Sequence, residues 1–411
     1  MASHAGEYQL RQRPTDVVVS GRRPPSPLTG RFKQAMEHAE AAVSEPFRGI
    51  TADGIPEPDL FPLRRTSSST RPLVDAAQAF LASLPGDERN AARFPIDATA
   101  WQMWHNIHPF LFRHGACLDT LNNAQRQAAL ALMTATLSTT GFDLARNIMR
   151  LNETVGEITG RWDEYGEWLY WLSVFGTPSV DQPWGWQLDG HHLIINCFVL
   201  GDQVVLTPAF MGSEPVVATS GRYAGTRVFD AEQHGGRALM HALTPAQQRQ
   251  ATLFPSILPA DLPPKRLRGP DGRMQAAAFR DNIQLPYDGL PGAEMRSEAR
   301  RRLLELIETY VGRLRPDHAR ITMDDVQRHI ERTHLLWMGS ANDDGLFYYR
   351  VHSPVILIEF DFEAGVVFDS DEPMHDHIHT VVRTPNGNDY GKDWLRQHRQ
   401  QFHQPTGIDT R

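Results

Sequence analysis

Hydrophobic and polar residues alternate through the last third of the chain, and this pattern predicts an antiparallel β-meander. In residues 355–362 one face is apolar and the other presents the carboxylates of Glu359 and Asp361. Residues 346–352, 365–369 and 377–383 share the same β-branched and aromatic character. Because successive side chains of a strand point to opposite faces, we expect a sheet with one core face and one polar face here.

A β-hairpin is predicted near the middle of the chain. Two apolar runs, residues 191–200 and 203–206, are separated by Gly201-Asp202, a dipeptide typical of tight turns. His191 and His192 open the first run. Side chains alternate along a strand, so we expect at most one of these two histidines to face a given pocket.

Apolar residues at helical spacing predict helices around these strands. Residues 73–84, 122–137 and 142–158 form an N-terminal helical layer, and residues 295–314 carry an apolar stripe opposite an arginine-rich face. The combined pattern predicts an α+β fold, in which a mostly antiparallel β-sheet is accompanied by the N-terminal helical layer and by surrounding helices.

Stretches rich in Pro, Ser and Arg, such as residues 22–27 and 64–72, are typical of linkers. We therefore interpret residues 1–71 as a poorly ordered N-terminal arm and residues 72–403 as a single α+β domain of catalytic type. Residues 404–411 are interpreted as a C-terminal tail.

Composition narrows the class of protein. The 411 residues are 41% hydrophobic, which is typical of a globular chain, and the net charge of −8 is unlike the concentrated basic patch of a nucleic-acid binder. With only two cysteines, a disulfide framework is not expected. The first 30 residues lack the apolar core of a signal peptide. No apolar run approaches the ~18 residues that a membrane span requires. We expect a cytoplasmic protein that binds a small-molecule substrate and neither nucleic acid nor membrane.

Several motifs follow one another along the chain: FGTPS, PWGWQLDGHH, LTPAFMGSEP, THLLWMG, FYYRVHSPVILIEFD and HIHTVVRTPNGNDYG. In this order they resemble DUF3500, a bacterial and fungal family of domains of unknown function, over roughly residues 72–403. The resemblance implies that the histidine-bearing motifs belong to one fold. It implies no particular chemistry.

The histidines supply the strongest chemical signal. His377 and His379 are two residues apart on a predicted strand, so both imidazoles project from one face and can bind one metal ion. A third imidazole would come from the central hairpin, which gives the predicted metal ligands His191, His192, His377 and His379. Imidazole together with carboxylate suits zinc or non-haem iron, so the predicted cofactor is one of these divalent metals.

Further residues are predicted to act beside this metal. Glu359 and His334 would move protons, while Arg350 and Arg383 would hold a substrate carboxylate. Both arginines are equally compatible with an ion-pair network that includes Glu359 and Asp361. The predicted walls of the substrate pocket are Trp184, Trp186, Phe210 and Trp337.

Four functions fit these residues. The preferred one is a metal-dependent enzyme, most simply a hydrolase, that acts on a small organic molecule. The first alternative is an O₂-dependent oxidoreductase with non-haem iron, and the second is a non-enzymatic small-molecule binding protein. A metal-free enzyme with His377 and His379 as acid and base is also compatible. The chain contains neither a GxSxG nucleophile elbow nor a GxxxxGK[ST] phosphate loop.

Overall fold

One mostly antiparallel sheet dominates the molecule. The computed structural model describes residues 9–11, 22, 30–106, 112–268 and 271–402, and within these ranges thirteen strands join the sheet. The strands are β1 (Arg93–Phe94), β2 (Ala116–Cys117), β3 (Tyr170–Gly176), β4 (Trp184–Gly190), β5 (Leu193–Leu200), β6 (Gln203–Val205), β7 (Ala209–Ser213), β8 (Thr252–Phe254), β9 (Leu290–Pro291), β10 (His334–Gly339), β11 (Phe347–His352), β12 (Leu357–Ala364) and β13 (Pro373–Arg383). Their order is β1-β3-β4-β5-β7-β13-β12-β11-β10-β8, with β2 beside β3, β6 beside β5 and β9 beside β10.

Helices surround this sheet. They are α1 (Gly30–Ser44), α2 (Arg71–Ser83), α3 (Gly86–Ala91), α4 (Asn123–Thr136), α5 (Thr139–Thr159), α6 (Asp230–His241), α7 (Pro245–Ala251), α8 (Ser297–Val311), α9 (Pro316–Arg328) and α10 (Lys392–Phe402). Local signals set their ends: Asn122 and Gln125 form a capping box at the start of α4, and Gly160 ends α5 in the left-handed conformation. The predicted α+β fold with its N-terminal helical layer is confirmed.

The strand register sorts side chains onto two faces of the sheet. His379 in β13 lies opposite Gly212 in β7 and Asp361 in β12, so these positions share one face. Thr380 and its partner Phe360 occupy the other face. We call the first the polar face and the second the helix-covered face.

The helix-covered face packs against α8. Tyr349 lies opposite Phe360, and its hydroxyl is 2.5 Å from that of Tyr310 in α8. An irregular segment covers the polar face, where the backbone N–H groups of Arg273 and Gln275 donate to Asp361 and Glu359. The central junction β7-β13-β12 therefore lies between helices on one side and an irregular segment on the other.

Part of the predicted N-terminal arm lies along this domain. Ile50 and Phe61 are buried in the core, and the Thr66 N–H donates to Asp202 at 2.7 Å. The remainder of the arm outside the described ranges and the predicted tail, residues 404–411, lie beyond the described residues. The domain boundary at residue 71 stays a prediction.

No helix within the described ranges has both the length and the apolar character that crossing a membrane requires.

A buried histidine in α9 gives a pH prediction. His318 is 2% exposed, and burial together with the nearby Arg315 lowers its pKa to about 4. In the unfolded chain a histidine titrates near pH 6.5, so between pH 6.5 and 4 the unfolded state binds a proton that the folded state does not. His318 therefore reduces stability as the pH falls through this window. From pH 7 to pH 5 the loss of unfolding free energy due to His318 should be about 2 kcal/mol.

Denaturant unfolding of the wild type and of His318→Phe at both pH values checks this prediction. The variant should lose about 2 kcal/mol less than the wild type between pH 7 and pH 5. An equal loss in the two proteins would contradict the role assigned to His318.

Candidate metal centre

Three imidazoles converge on the polar face of the sheet. The Nε2 atoms of His377 and His379 are 3.0 Å apart, and the Nε2 of His192 lies 3.4 Å from the first and 3.1 Å from the second. All three side chains are buried. Among the described residues they form the one group of three or more His, Cys, Asp or Glu side chains whose potential ligand atoms all lie within 4.8 Å of one another. We call this group the histidine trio.

Two different local structures bring the trio together. His377 and His379 are alternate residues of β13 and so project to the same side. His192 belongs to the short turn between β4 and β5 and has a φ of 61°. Its N–H donates to the Asn106 carbonyl at 3.0 Å and its carbonyl accepts from the Gly212 N–H at 2.8 Å. These two hydrogen bonds fix a left-handed conformation that is uncommon for a non-glycine residue and that is often found at functional sites.

A hydrogen-bond acceptor lies behind His377, and a carboxylate lies behind His379. The Nδ1 of His377 lies 2.6 Å from the Ala364 carbonyl and 3.6 Å from a carboxylate oxygen of Glu214. The Nδ1 of His379 lies 3.6 Å from a carboxylate oxygen of Glu363. A carbonyl or carboxylate beside Nδ1 retains the proton there and leaves the Nε2 lone pair free, as in metal-binding histidines.

The protonation of His379 and the spacing of the trio fit a metal ion. Burial, and then the neighbouring His377, lower the pKa of His379 to about 4, so this ring is neutral near pH 7. Nitrogens bound at 2.0–2.1 Å to a tetrahedral centre lie about 3.3–3.4 Å from one another. The observed separations of 3.0–3.4 Å are close to this spacing. With the proton of each ring on Nδ1, three Nε2 lone pairs would face one another at these distances, and a cation between them would remove their repulsion.

His191, the fourth predicted ligand, does not join the trio. Its ring stacks on that of His192 with centroids 4.0 Å apart, and its Nδ1 lies 2.9 Å from the Asn152 side-chain oxygen. The sequence left open whether His191 or His192 supplies the third imidazole, and in the structure it is His192. His191 instead packs against the back of that ring.

The structure gives Glu359 and Arg383 other contacts. The Glu359 carboxylate accepts from the backbone N–H groups of Gln275 and Ala276 and from the Tyr348 hydroxyl. Arg383 forms buried ion pairs with Asp389, at 2.7 Å, and with Asp281. Burial opposes its charge, but these two carboxylates outweigh that effect and raise the pKa of Arg383. Arg383 therefore forms buried ion pairs, but with Asp281 and Asp389 and not with Glu359 and Asp361, the partners that the sequence suggested.

Arg350 and His334 also lie away from the trio. Arg350 donates to Asp288 at 3.0 Å from a position opposite Glu359. His334 lies in β10, three strands from β13, which corresponds to roughly 14 Å. Its ring stacks on Tyr287 with centroids 5.3 Å apart. Neither side chain is brought to the trio.

The four predicted pocket aromatics divide between the two faces. Phe210 packs against His379 with ring centroids 5.1 Å apart. The register places the three tryptophans on the helix-covered face, where Trp186 donates to Thr136 at the end of α4 and Trp337 lies beside Gly236 of α6. Trp184 shares the face of Trp186 because the two are alternate residues of β4. Only Phe210 of this set therefore lies beside the trio.

Three acidic residues were not selected from the sequence: Glu214 and Glu363, which lie beside the trio, and Asp271, which interacts with Glu363. Glu214 accepts hydrogen bonds from the backbone N–H groups of residues 366–368, and Glu363 lies behind His379. Asp271 is buried, and burial followed by the charge of Glu363 raises its pKa to about 8. Glu363 could have been found from the sequence because it continues the alternation of Glu359 and Asp361. No local pattern marks Glu214 or Asp271.

The absence of a side chain at Gly212 makes room for the trio. A Cβ at this position would lie 2.7 Å from Cδ2 of His379 and 2.8 Å from the Ile378 carbonyl oxygen. We expect Gly212→Ala to destabilise the protein by about 1–3 kcal/mol and to weaken divalent-metal affinity at least about tenfold. Denaturant unfolding and metal titration measure the two effects. Gly86→Ala, whose Cβ meets no atom within 4 Å, is the matched control and should retain wild-type metal affinity. Equal affinity in the two variants would argue against a metal at the trio.

The fold and the trio define an α+β protein with a three-histidine cluster on the polar face of a large antiparallel sheet. The chain belongs to the family "Protein of unknown function (DUF3500)", whose model matches residues 66–392, and the predicted resemblance is thereby confirmed. Comparison with curated proteins and with solved structures found no match.

Proposed function

We propose that the histidine trio binds one divalent metal ion and that the protein is a metal-dependent hydrolase of a small organic molecule. The observation that carries this proposal is the convergence of three buried Nε2 atoms with separations of 3.0–3.4 Å. Zinc is the preferred ion because three histidines with one open position are a common ligand set of catalytic zinc. A bound zinc would act as a Lewis acid on a carbonyl group and would acidify a water molecule.

The residues around the trio have complementary roles in this proposal. The Ala364 carbonyl accepts the Nδ1 proton of His377 and so keeps its Nε2 atom available. The negative charge of Glu363, 3.6 Å from the Nδ1 of His379, favours a proton on that nitrogen as well. Glu363 is itself ionised, since Arg273 and His379 lower its pKa against the effect of burial. These contacts orient the imidazoles before a metal binds.

Asp271 is the proposed proton donor. With its pKa raised to about 8, this carboxyl is largely protonated near pH 7 and can give up a proton to a leaving group. It adjoins Gly272, where an added Cβ would lie 2.1 Å from the Glu363 carboxylate. Asp271 replaces Glu359 in this role because the Glu359 carboxylate is occupied by backbone amides and Tyr348.

The O₂-dependent iron enzyme is the second candidate. A common iron site of this kind combines two histidines with a carboxylate. The trio instead consists of three imidazoles, and this favours the hydrolytic proposal. A protein that binds a small molecule without reaction is the third candidate. We also propose a cytoplasmic location, to which the two unpaired cysteines are suited.

Hydrolysis of small esters, lactones and amides by the full chain tests the proposal. Metal-loaded protein should hydrolyse at least one class, lose that activity on chelation and regain it with zinc. His377→Ala should be inactive under all conditions. His334→Ala, altered at a histidine remote from the trio, should retain activity. If iron-loaded protein consumes oxygen but does not hydrolyse any of these compounds, the O₂-dependent iron oxidoreductase would be favoured instead. If the protein binds metal but shows neither hydrolysis nor oxygen consumption, the third candidate, a small-molecule binding protein, would be favoured.

A further inference from the structure

Two adjoining cavities lie on the helix-covered side of the sheet, away from the histidine trio. The first has a volume of about 60 Å³ and lies between β6, α9 and the N-terminal segment that contains Phe61 and Arg64. The second, also about 60 Å³, lies between β7 and the end of α8. The two share the lining residues Val205, Thr322, Val355 and Thr384. They therefore adjoin along these residues, and we call them the two compartments of one elongated space.

A buried hydrogen-bonding group lines the first compartment. His318 is 2% exposed, and its Nδ1 has no hydrogen-bond partner within the described ranges. A buried polar atom without a partner is destabilising, so a group that pairs with it contributes favourably. The His318 ring is neutral near pH 7 because burial lowers its pKa to about 4. Its Nδ1 can accept or donate a hydrogen bond without introducing charge.

The second compartment is mainly apolar. Val311 and Leu314 line it from the helical side, and Ala209 and Met211 line it from β7. Arg313 contributes the one charged side chain to this lining, and its guanidinium is already paired with Glu232 at 2.6 Å. The compartment therefore offers a dry wall for a hydrocarbon group and no unpaired charge for an ion.

We propose that this elongated space binds a small uncharged amphipathic molecule, with its polar group on the Nδ1 of His318 and its hydrocarbon part directed towards Met211. A volume of 60 Å³ accommodates about four water molecules, so the ligand has roughly four to eight non-hydrogen atoms. Short alcohols, amides and ketones belong to this class. A carboxylic acid is disfavoured, because its charge would be buried without a free cation.

This proposal does not depend on a metal at the trio. Ala209 and Met211 line the cavity, whereas Phe210 and Gly212 of the same strand contact His379 from the opposite face. The two sites therefore lie on opposite sides of β7. The experiments can therefore distinguish a failure of metal binding at the trio from a failure of ligand binding in the cavity.

Ligand-observed NMR on the full chain tests the proposal, with butyramide as the amphipathic probe and xenon as the apolar probe. Wild-type protein should show saturable binding of butyramide in the millimolar range and binding of xenon. His318→Phe removes the polar group while preserving a ring, so it should weaken butyramide at least about fivefold and leave xenon bound. His329→Phe is the control, because the Nδ1 of His329 already lies 2.9 Å from the Asp325 carbonyl and the residue does not line the cavity. It should bind both probes as the wild type does.

Blocking the shared wall gives an independent result. Thr322→Phe should abolish the binding of both probes, and Thr322→Leu, a smaller change at the same shared position, serves if the first variant does not fold. If the wild type shows no saturable binding of butyramide, the proposal is wrong and the cavities hold only water. Unchanged butyramide binding by His318→Phe, or by a folded blocking variant, would overturn it as well.

Discussion

Removal of the metal from the purified full chain is expected to lower its free energy of unfolding by about 4 kcal/mol at metal concentrations near 1,000 times Kd. A ligand that binds only the folded state stabilises it by mass action, and the three Nε2 atoms of the trio lie 3.0–3.4 Å apart in a buried site that a cation would fill. For a chain of 411 residues this corresponds to a fall in melting temperature of about 5 °C. Calorimetry with and without chelator measures the effect.

Matched variants assign that effect to the trio. His377→Ala should melt at the same temperature with and without chelator, whereas His334→Ala should respond as the wild type does. An equal chelator response in His377→Ala would locate the metal elsewhere in the chain.

Replacement of Arg383 by methionine is expected to cost about 3–5 kcal/mol of unfolding free energy. Arg383 is fully buried, and its removal leaves the carboxylates of Asp281 and Asp389 without their cation. Arg302→Met is the control, because Arg302 is exposed and its ion pairs with Glu298 and Glu305 lie on the surface of α8. It should change stability by less than about 1 kcal/mol.

Denaturant unfolding distinguishes the structural role of Arg383 from the substrate clamp that the sequence also allowed. A loss below about 1 kcal/mol in Arg383→Met, combined with a large rise in KM, would favour the clamp. A loss of 3–5 kcal/mol, with metal affinity retained in the folded fraction, is the expected result.

Most of the fold was predictable from the alternation of apolar and polar residues along the strands. Residues 355–362 read as a strand with an apolar and a carboxylate face, and the register places Phe360 and Asp361 on opposite faces of β12. The C-terminal meander and the hairpin at residues 191–206 follow the same period of two. The N-terminal helical layer was predictable because its apolar residues recur at helical spacing.

Part of the site was predictable for the same reason. The spacing of His377 and His379 places both on one strand face, and the structure brings their Nε2 atoms within 3.0 Å. The third imidazole required a choice between His191 and His192 that alternation alone could not make. The left-handed conformation of His192 arises from its hydrogen bonds to Asn106 and Gly212, which are distant in sequence.

The neighbours of the trio depend on tertiary contacts that carry no local signal. The irregular segment at residues 271–281 covers the polar face and supplies the amides that occupy Glu359, yet its sequence indicates only a loop. The three tryptophans belong to strands whose orientation is set by the complete sheet register. The sequence analysis predicted them as walls of the substrate pocket but could not assign their face.

Metal analysis of the purified full chain tests the central claim most directly. After dialysis against zinc and removal of loosely bound ions, the wild type and His191→Ala should each retain about one equivalent per chain. His192→Ala, His377→Ala and His379→Ala should each retain less than about a tenth, because two imidazoles alone bind zinc weakly. A wild-type chain that remains empty, or a trio variant that keeps a full equivalent, would contradict the three-histidine metal site.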